Sequence, residues 1–188
     1  MGALLADLEQ SDRLFFCLYP DAQTAAQIAA LAHRIKQAHG LSGEPLRAGR
    51  LHVSQHHLGD YAGIPDAILA NAFVAGGSVA MRPFTVTFDR VESFTRGTRS
   101  RPLVLRSSDE NGGLTALHQN LGAAMKRTGL GHWAHAGFTP HMTLLYDDTL
   151  VEEMPVAPIS WTVREVTLVH SLLGRKTHIR LASWALRG

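Results

Sequence analysis

Two stretches decide the reading of this chain: Arg50-Leu51-His52-Val53-Ser54-Gln55-His56-His57-Leu58-Gly59 and Phe138-Thr139-Pro140-His141-Met142-Thr143-Leu144. Each holds a histidine followed two positions later by a hydroxyl residue. The two histidines, His52 and His141, are 89 positions apart, near the middle of each half of the chain. On an extended strand, residues i and i+2 project from one face. Each stretch therefore presents an imidazole beside a hydroxyl. Val53 in one stretch, and Met142 and Leu144 in the other, supply the opposite, apolar face. If the halves are related by an approximate two-fold, the two pairs meet across a cleft.

Working outward, residues 13–19 read as a buried strand ended by Pro20. Asp21 caps an Ala-rich helix over 22–39, with Ile28, Leu31 and Ile35 on one face and Gly40 as the stop. After a loop with Gly43 and Pro45, residues 50–58 form the first motif strand, and 65–75 a helix with Pro65 in its first turn. Residues 83–94 alternate cleanly, with Phe84, Val86 and Phe88 on one face, and pair with a short strand at 102–106. A helix over 113–128 precedes the second motif strand, 139–146. Two long strands, 160–171 and 177–186, then form a hairpin around Gly174. Helices and strands are intermixed and the last strands are consecutive, so the expected class is α+β rather than a doubly wound parallel sheet.

Composition narrows the function. With 45% hydrophobic and 18% charged residues, 188 residues suit one ordered domain, residues 1–188. The lone Cys17 lies in an apolar run and excludes an internal disulfide or a multi-Cys zinc site. No stretch is apolar enough to span a membrane. Met1–Arg13 lacks a basic segment ahead of an apolar run, so no signal peptide is expected and the cytoplasm is the expected compartment. A formal charge of +2 is too modest for broad binding of a nucleic-acid duplex along a basic face. No obligate protein partner is evident. Eleven histidines outweigh that net charge as an electrostatic reserve near neutrality. The cations are 15 Arg and three Lys, a bias that composition alone can explain.

The paired stretches suggest a chemistry. Cleaving a phosphodiester needs a base to deprotonate water and an acid to protonate the leaving oxygen. Two imidazoles with ordinary pKa values of about 6.5 can hold opposite protonation states near neutral pH. Ser54 and Thr143 can hold the phosphoryl oxygens as charge develops. Neither a metal nor a cofactor is needed. One such tripeptide is common by chance; one per half, both on expected strands, is not.

The chain resembles the 2H phosphoesterases, and within them the bacterial RNA 2′,3′-cyclic phosphodiesterases, also called 2′-5′ RNA ligase-like proteins. The likeness spans nearly the whole sequence, from the Arg13-Leu14-Phe15-Phe16 strand and its Ala-rich helix through both motif stretches. It implies a bilobal α+β fold with pseudo-two-fold symmetry, antiparallel sheets forming a central cleft and helices outside. It implies hydrolysis of RNA 2′,3′-cyclic phosphate ends to a 2′-phosphate, with 2′-5′ ligation as the reverse. By this analogy His52 protonates the leaving 3′ oxygen and His141 activates water, or the reverse; Ser54 and Thr143 hold the phosphate. The partners implied are RNA 3′ ends or small cyclic-phosphate nucleotides. An alternative is a non-catalytic RNA-end binding module on the same fold.

Three positions depart from the family pattern. Ser54 stands where Thr is usual and lacks the β-methyl that fixes the rotamer. Gln55 replaces an apolar residue and should face the core, where a buried amide needs partners. Leu145-Tyr146 occupies the region where many members have Arg, so a phosphate-contacting cation must come from elsewhere. Arg50, Arg96, Arg99, Arg101, Arg175 and Lys176 lie near expected strand ends or loops, though each alone is more often a solvated surface charge. Under strict alternation His56 shares a face with His52 and Ser54 and enters the cleft; the competing reading is a strand histidine bonded to its neighbours. A zinc set of His52, His56 and His135 is disfavoured because His-x3-His does not converge on a strand. Tyr61, Phe94 and Tyr146 are candidates for stacking on a base, or edges of the core.

Overall fold

The computed structural model describes residues 11–95, 99–109 and 111–188. The strands are β1 (Asp12–Leu18), β2 (Val53–Tyr61), β3 (Phe84–Ser93), β4 (Arg101–Arg106), β5 (Met142–Asp147), β6 (Met154–Val163), β7 (Glu165–Leu172) and β8 (Thr177–Ala185). The helices are α1 (Ala22–His39), α2 (Asp66–Gly77) and α3 (Gly112–Arg127). They build two antiparallel four-stranded sheets, ordered β2-β1-β7-β8 and β5-β4-β3-β6. The fold is α+β, and in each sheet the motif strand is an edge, paired to one neighbour.

Local chemistry explains the elements. Asp21 accepts a hydrogen bond from the Thr24 amide at the start of α1, and Gly40 ends it in the left-handed conformation at φ 61°. β1 is apolar on both faces because both are covered. Leu14, Phe16 and Leu18 enter the main core, while Phe15 and Cys17 join Val169 and Tyr19 in a small cluster on the cleft side. Fully burying a side chain such as Phe16 contributes roughly 1.5–3 kcal/mol. α1 packs on β5 and β6, α2 on β7 and β8, and α3 on α2, β3 and β2. One core cluster thus runs through both sheets and the three helices.

The hairpin expected over 160–171 and 177–186 is only half right. Residues 160–171 are not one strand. β6 pairs with β3 in the second sheet, β7 pairs with β1 and β8 in the first, and the chain crosses at Arg164. The burial phase slips there: Trp161 and Val163 face inward, Glu165 is exposed, and inward positions resume at Val166. β6 also begins earlier, at Met154. Pro155 and Pro158 hide it in the sequence, yet they are tolerated because β6 is an edge strand.

Both motif strands carry a bulge at the same place. On β2, Ser54 pairs with Cys17 and His56 with Phe16, so Gln55 is the extra residue. On β5, Thr143 pairs with Val104 and Leu145 with Leu103, so Leu144 is extra. A bulge puts neighbouring residues on one side and re-aims the side chains beyond it. Gln55 and His56 are both buried, as are Leu144 and Leu145; the next residue outward is His57 in one strand and Tyr146 in the other.

Candidate active site

Each motif histidine sits just ahead of its strand rather than inside it. Arg50, expected at the start of a strand, ends a short 3-10 turn, Ala48–Arg50. That turn aims the Arg50 carbonyl at His52 Nδ1, 2.6 Å away. His141 repeats the device: its Nδ1 lies 2.7 Å from the Thr139 carbonyl. A carbonyl only accepts, so in each ring Nδ1 carries the proton and donates it. Nε2 is then the nitrogen left to exchange protons, in both halves.

The two motifs converge. Ser54 and His141 line one groove of about 260 Å³, with His57, Trp133, Phe138 and Thr139. His52 and His141 are close enough that charge on His141 disfavours charge on His52. Burial is the main force lowering the pKa of both rings from 6.5. Arg50 and His141 add to it at His52, and Arg106 adds to it at His141. Lowered values keep both rings neutral to a lower pH than free imidazole.

Surrounding residues hold the rings in place. His52 packs on Phe15 at 5.2 Å, Tyr19 at 6.1 Å and His178 at 5.2 Å between ring centroids. His141 packs edge-on against Phe94 at 4.9 Å. The Arg106 guanidinium lies 6.0 Å from the centre of the same Phe94 ring and is paired with Glu92. Cys17 is fully buried and burial pushes its thiol pKa up, so it stays protonated.

The second-motif edge is braced from the first half of the chain. The buried Asp147 carboxylate accepts from the Gly43 amide at 2.7 Å, Ser42 Oγ at 3.0 Å and the Thr149 amide at 2.7 Å, bonds that hold it well below the usual carboxylate range. The Leu46 amide donates to the carbonyl of the bulged Leu144 at 2.7 Å. Gly43 is required there, because a Cβ would meet the Tyr146 carbonyl at 2.0 Å. The first motif is braced from the second half. Nδ1 and Nε2 of His118, on α3, lie 2.9 and 2.8 Å from the carbonyls of the bulged Gln55 and of His135.

The bulge turns His56 toward α3: its ring stacks on His118 at 3.9 Å and its Nε2 lies 2.9 Å from the His118 carbonyl, while His56 still lines the groove that holds Ser54 and His141. Burial pushes its pKa down to about 4. His57 takes the outward position and bonds Asp60, which also forms a two-pronged pair with Arg13. Gln55 is buried as expected, but neither amide atom has a partner. Among the described residues no group of three metal-ligating side chains converges.

Of the candidate cations, Arg50 reaches the histidine cluster through a direct contact with His178. Arg99 and Arg175 are exposed in the β3–β4 connection and the β7–β8 turn, as is Lys176. Arg101 donates to the Asp148 carbonyl at 2.8 Å, and Arg96 lies outside the described residues. Tyr146 is half exposed on β5. Tyr61 turns back to bond the Leu58 carbonyl. Sequence reasoning missed Tyr19, His178, Arg180 and Arg106. The available signal was His178-x-Arg180, which shares one face of a strand as the motif pairs do.

Two sheets, each lending one His-x-Ser/Thr segment to a common cleft, define the class of a two-lobed phosphoesterase. The family model of the 2′-5′ RNA ligase superfamily matches residues 19–175, and the chain belongs to that 2H phosphoesterase superfamily. Solved structures agree. Apo E. coli LigT is 28% identical, with a TM-score of 0.74 over 96% of this chain and 100% of LigT. LigT complexed with 3′-AMP is 27% identical over 95% of this chain and 99% of its own, with a TM-score of 0.74. A structure described as a phosphoesterase is 28% identical, with a TM-score of 0.73 over 94% and 99%. No curated protein matches the chain by sequence. The family is one of enzymes that hydrolyse or join phosphodiester bonds.

Proposed function

We propose that the protein hydrolyses RNA 2′,3′-cyclic phosphate ends to a 2′-phosphate by a two-histidine acid/base mechanism that needs no metal. The observation that carries this is the matched pair of imidazoles, each fixed through Nδ1 with Nε2 left for proton transfer. His141 Nε2 takes a proton from water as its oxygen attacks phosphorus. The P–O3′ bond breaks, and His52, in its imidazolium form, gives its Nε2 proton to O3′. The products are a 3′-hydroxyl and a 2′-phosphate, and the protons balance. The Ser54 and Thr143 hydroxyls hold the non-bridging oxygens as negative charge grows. With a 5′-hydroxyl in place of water as the nucleophile, the same ring opening joins two RNA ends through a 2′-5′ bond and frees the 3′-hydroxyl. The reaction is assigned to the cytoplasm, on RNA 3′ ends or small cyclic nucleotides.

The unpartnered Gln55 amide and the missing methyl at Ser54 favour a second reading, an RNA-end binding module without turnover. One experiment separates them: a 2′,3′-cyclic nucleotide incubated with EDTA-treated protein and followed by phosphorus NMR. The hydrolase predicts sustained conversion to the 2′-phosphate alone. Binding without conversion supports the second reading, and activity abolished by EDTA and restored by a divalent metal overturns the mechanism.

A further inference from the structure

The cleft wall behind His52 carries charge that the two-histidine chemistry does not use. Arg50 Nη2 lies 3.2 Å from His178 Nε2, so the guanidinium donates to the imidazole lone pair. The ring proton is then on Nδ1, which lies 3.4 Å from Tyr19 Oη. Arg180, two residues further along β8, sets its guanidinium 3.8 Å over the Tyr19 ring. His178 itself adds no charge: burial, then His52, Arg50 and Arg180, push its pKa down to about 4. Burial raises the Tyr19 pKa, so that hydroxyl is neutral too.

Two guanidiniums therefore stand on a wall of neutral rings. None of the ion pairs among the described residues involves Arg50 or Arg180. Arg50 Nε is also buried and has no partner. Like charges gathered without a counter-ion cost free energy that an anion recovers on binding. An Arg fork matches phosphate oxygens in pairs. Arg180 joins this wall through the Tyr19 ring, whose centroid is 6.1 Å from that of His52.

We propose that Arg50 and Arg180, spaced by His178 and Tyr19, form a subsite for a second phosphate of the substrate. This rests on the proposed function only for the position of the first phosphate. His178 is a positioning residue for Arg50, and Tyr19 for Arg180. The second phosphate is either the 5′-phosphate of a mononucleotide or the next phosphodiester of an oligoribonucleotide.

Equilibrium binding tests this without turnover. The probes are adenosine 2′-monophosphate, adenosine 2′,5′-bisphosphate, and an adenylyl dinucleotide ending in a 2′-phosphate, titrated in EDTA at low salt. The wild-type chain is expected to bind at least one two-phosphate probe about tenfold tighter than the monophosphate. A gain on the bisphosphate assigns the subsite to a terminal 5′-phosphate. A gain on the dinucleotide alone assigns it to an internal phosphodiester. Arg180→Ala, on an exposed edge position, should shrink that preference to about twofold, and Arg180→Lys should restore part of it. Equal affinity for the three probes, a preference that survives Arg180→Ala, or no binding of any probe overturns the subsite. Failure of wild-type protein to hydrolyse a cyclic phosphate while this preference holds would instead overturn the proposed function alone.

Discussion

The two motif strands, β2 and β5, are built alike and furnished differently. Both are sheet edges, both bulge after the hydroxyl residue, and both fix their histidine through Nδ1 to a carbonyl two residues back. The walls beside them diverge. Among the described residues, His141 has Phe94 beside it, with Arg106 over that ring and paired to Glu92. His52 has Phe15, Tyr19 and His178, with Arg50 and Arg180 nearby in no ion pair among the described residues. The lesson is that proton transfer needs a symmetric frame, whereas holding a charged substrate does not. On the proposed mechanism, the backbone repeats because both imidazoles need the same tautomer, and the charge of Arg50 and Arg180 on one side would orient the substrate one way.

This contrast can be broken in several ways. The largest effects should come from the shared frame. His52→Ala or His141→Ala should each lower kcat by about 10³-fold, since a positioned acid or base contributes roughly 10²–10⁴. A variant keeping a tenth of wild-type turnover would show that its lobe is not part of the acid/base pair. Next comes the asymmetry. Arg50→Ala should raise KM for a 2′,3′-cyclic nucleotide that also carries a 5′-phosphate about tenfold and Arg106→Ala no more than about threefold, because Arg106 already has a counter-ion. The reverse order would contradict the assignment of charge to the first lobe.

The pH profile is set by the rings both lobes share. The pKa values of His52 and His141 are lowered, chiefly by burial. The base is then free at lower pH, and the acid form is lost as pH rises through its lowered value. The bell of kcat/KM should peak on the acid side of about pH 7; a maximum on the alkaline side would contradict the burial argument. The smallest expected effect is on stability, where His56 and Leu145 occupy matching bulge positions. A buried histidine with its pKa pushed to about 4 stabilises the fold fully above its ordinary value of 6.5, and that contribution fades as pH falls toward 4. His56→Leu should therefore flatten the fall in stability over this window, a change on the order of 2 kcal/mol in urea melts at pH 4.5 compared with pH 7.

Much of this was legible in the sequence. The alternation of Phe84, Val86 and Phe88, the Asp21 and Gly40 boundaries of α1, and the paired His-x-Ser/Thr stretches each have a local signature. The bulges are less visible, because strict alternation carries a reader straight through them. Leu144-Leu145, two consecutive apolar residues directly after the motif, were the available sign. The crossing at Arg164 was readable as a one-residue slip between Val163 and Val166. What no local pattern could supply was the meeting of β8 with the first motif: His178 and Arg180 share a face by spacing, but tertiary folding alone brings them to His52. Likewise His118 reads as a helix-face residue until α3 packs on β2.

The central claim, that one histidine from each lobe acts in a single step, is tested most directly by comparing kcat for a 2′,3′-cyclic nucleotide in EDTA among wild type, His52→Ala, His141→Ala and the double variant. Groups acting as a unit are strongly non-additive. Each single change should remove nearly all turnover, and the double change should remove only about a few-fold more. Losses that multiply, or full activity in either single variant, would contradict the paired mechanism.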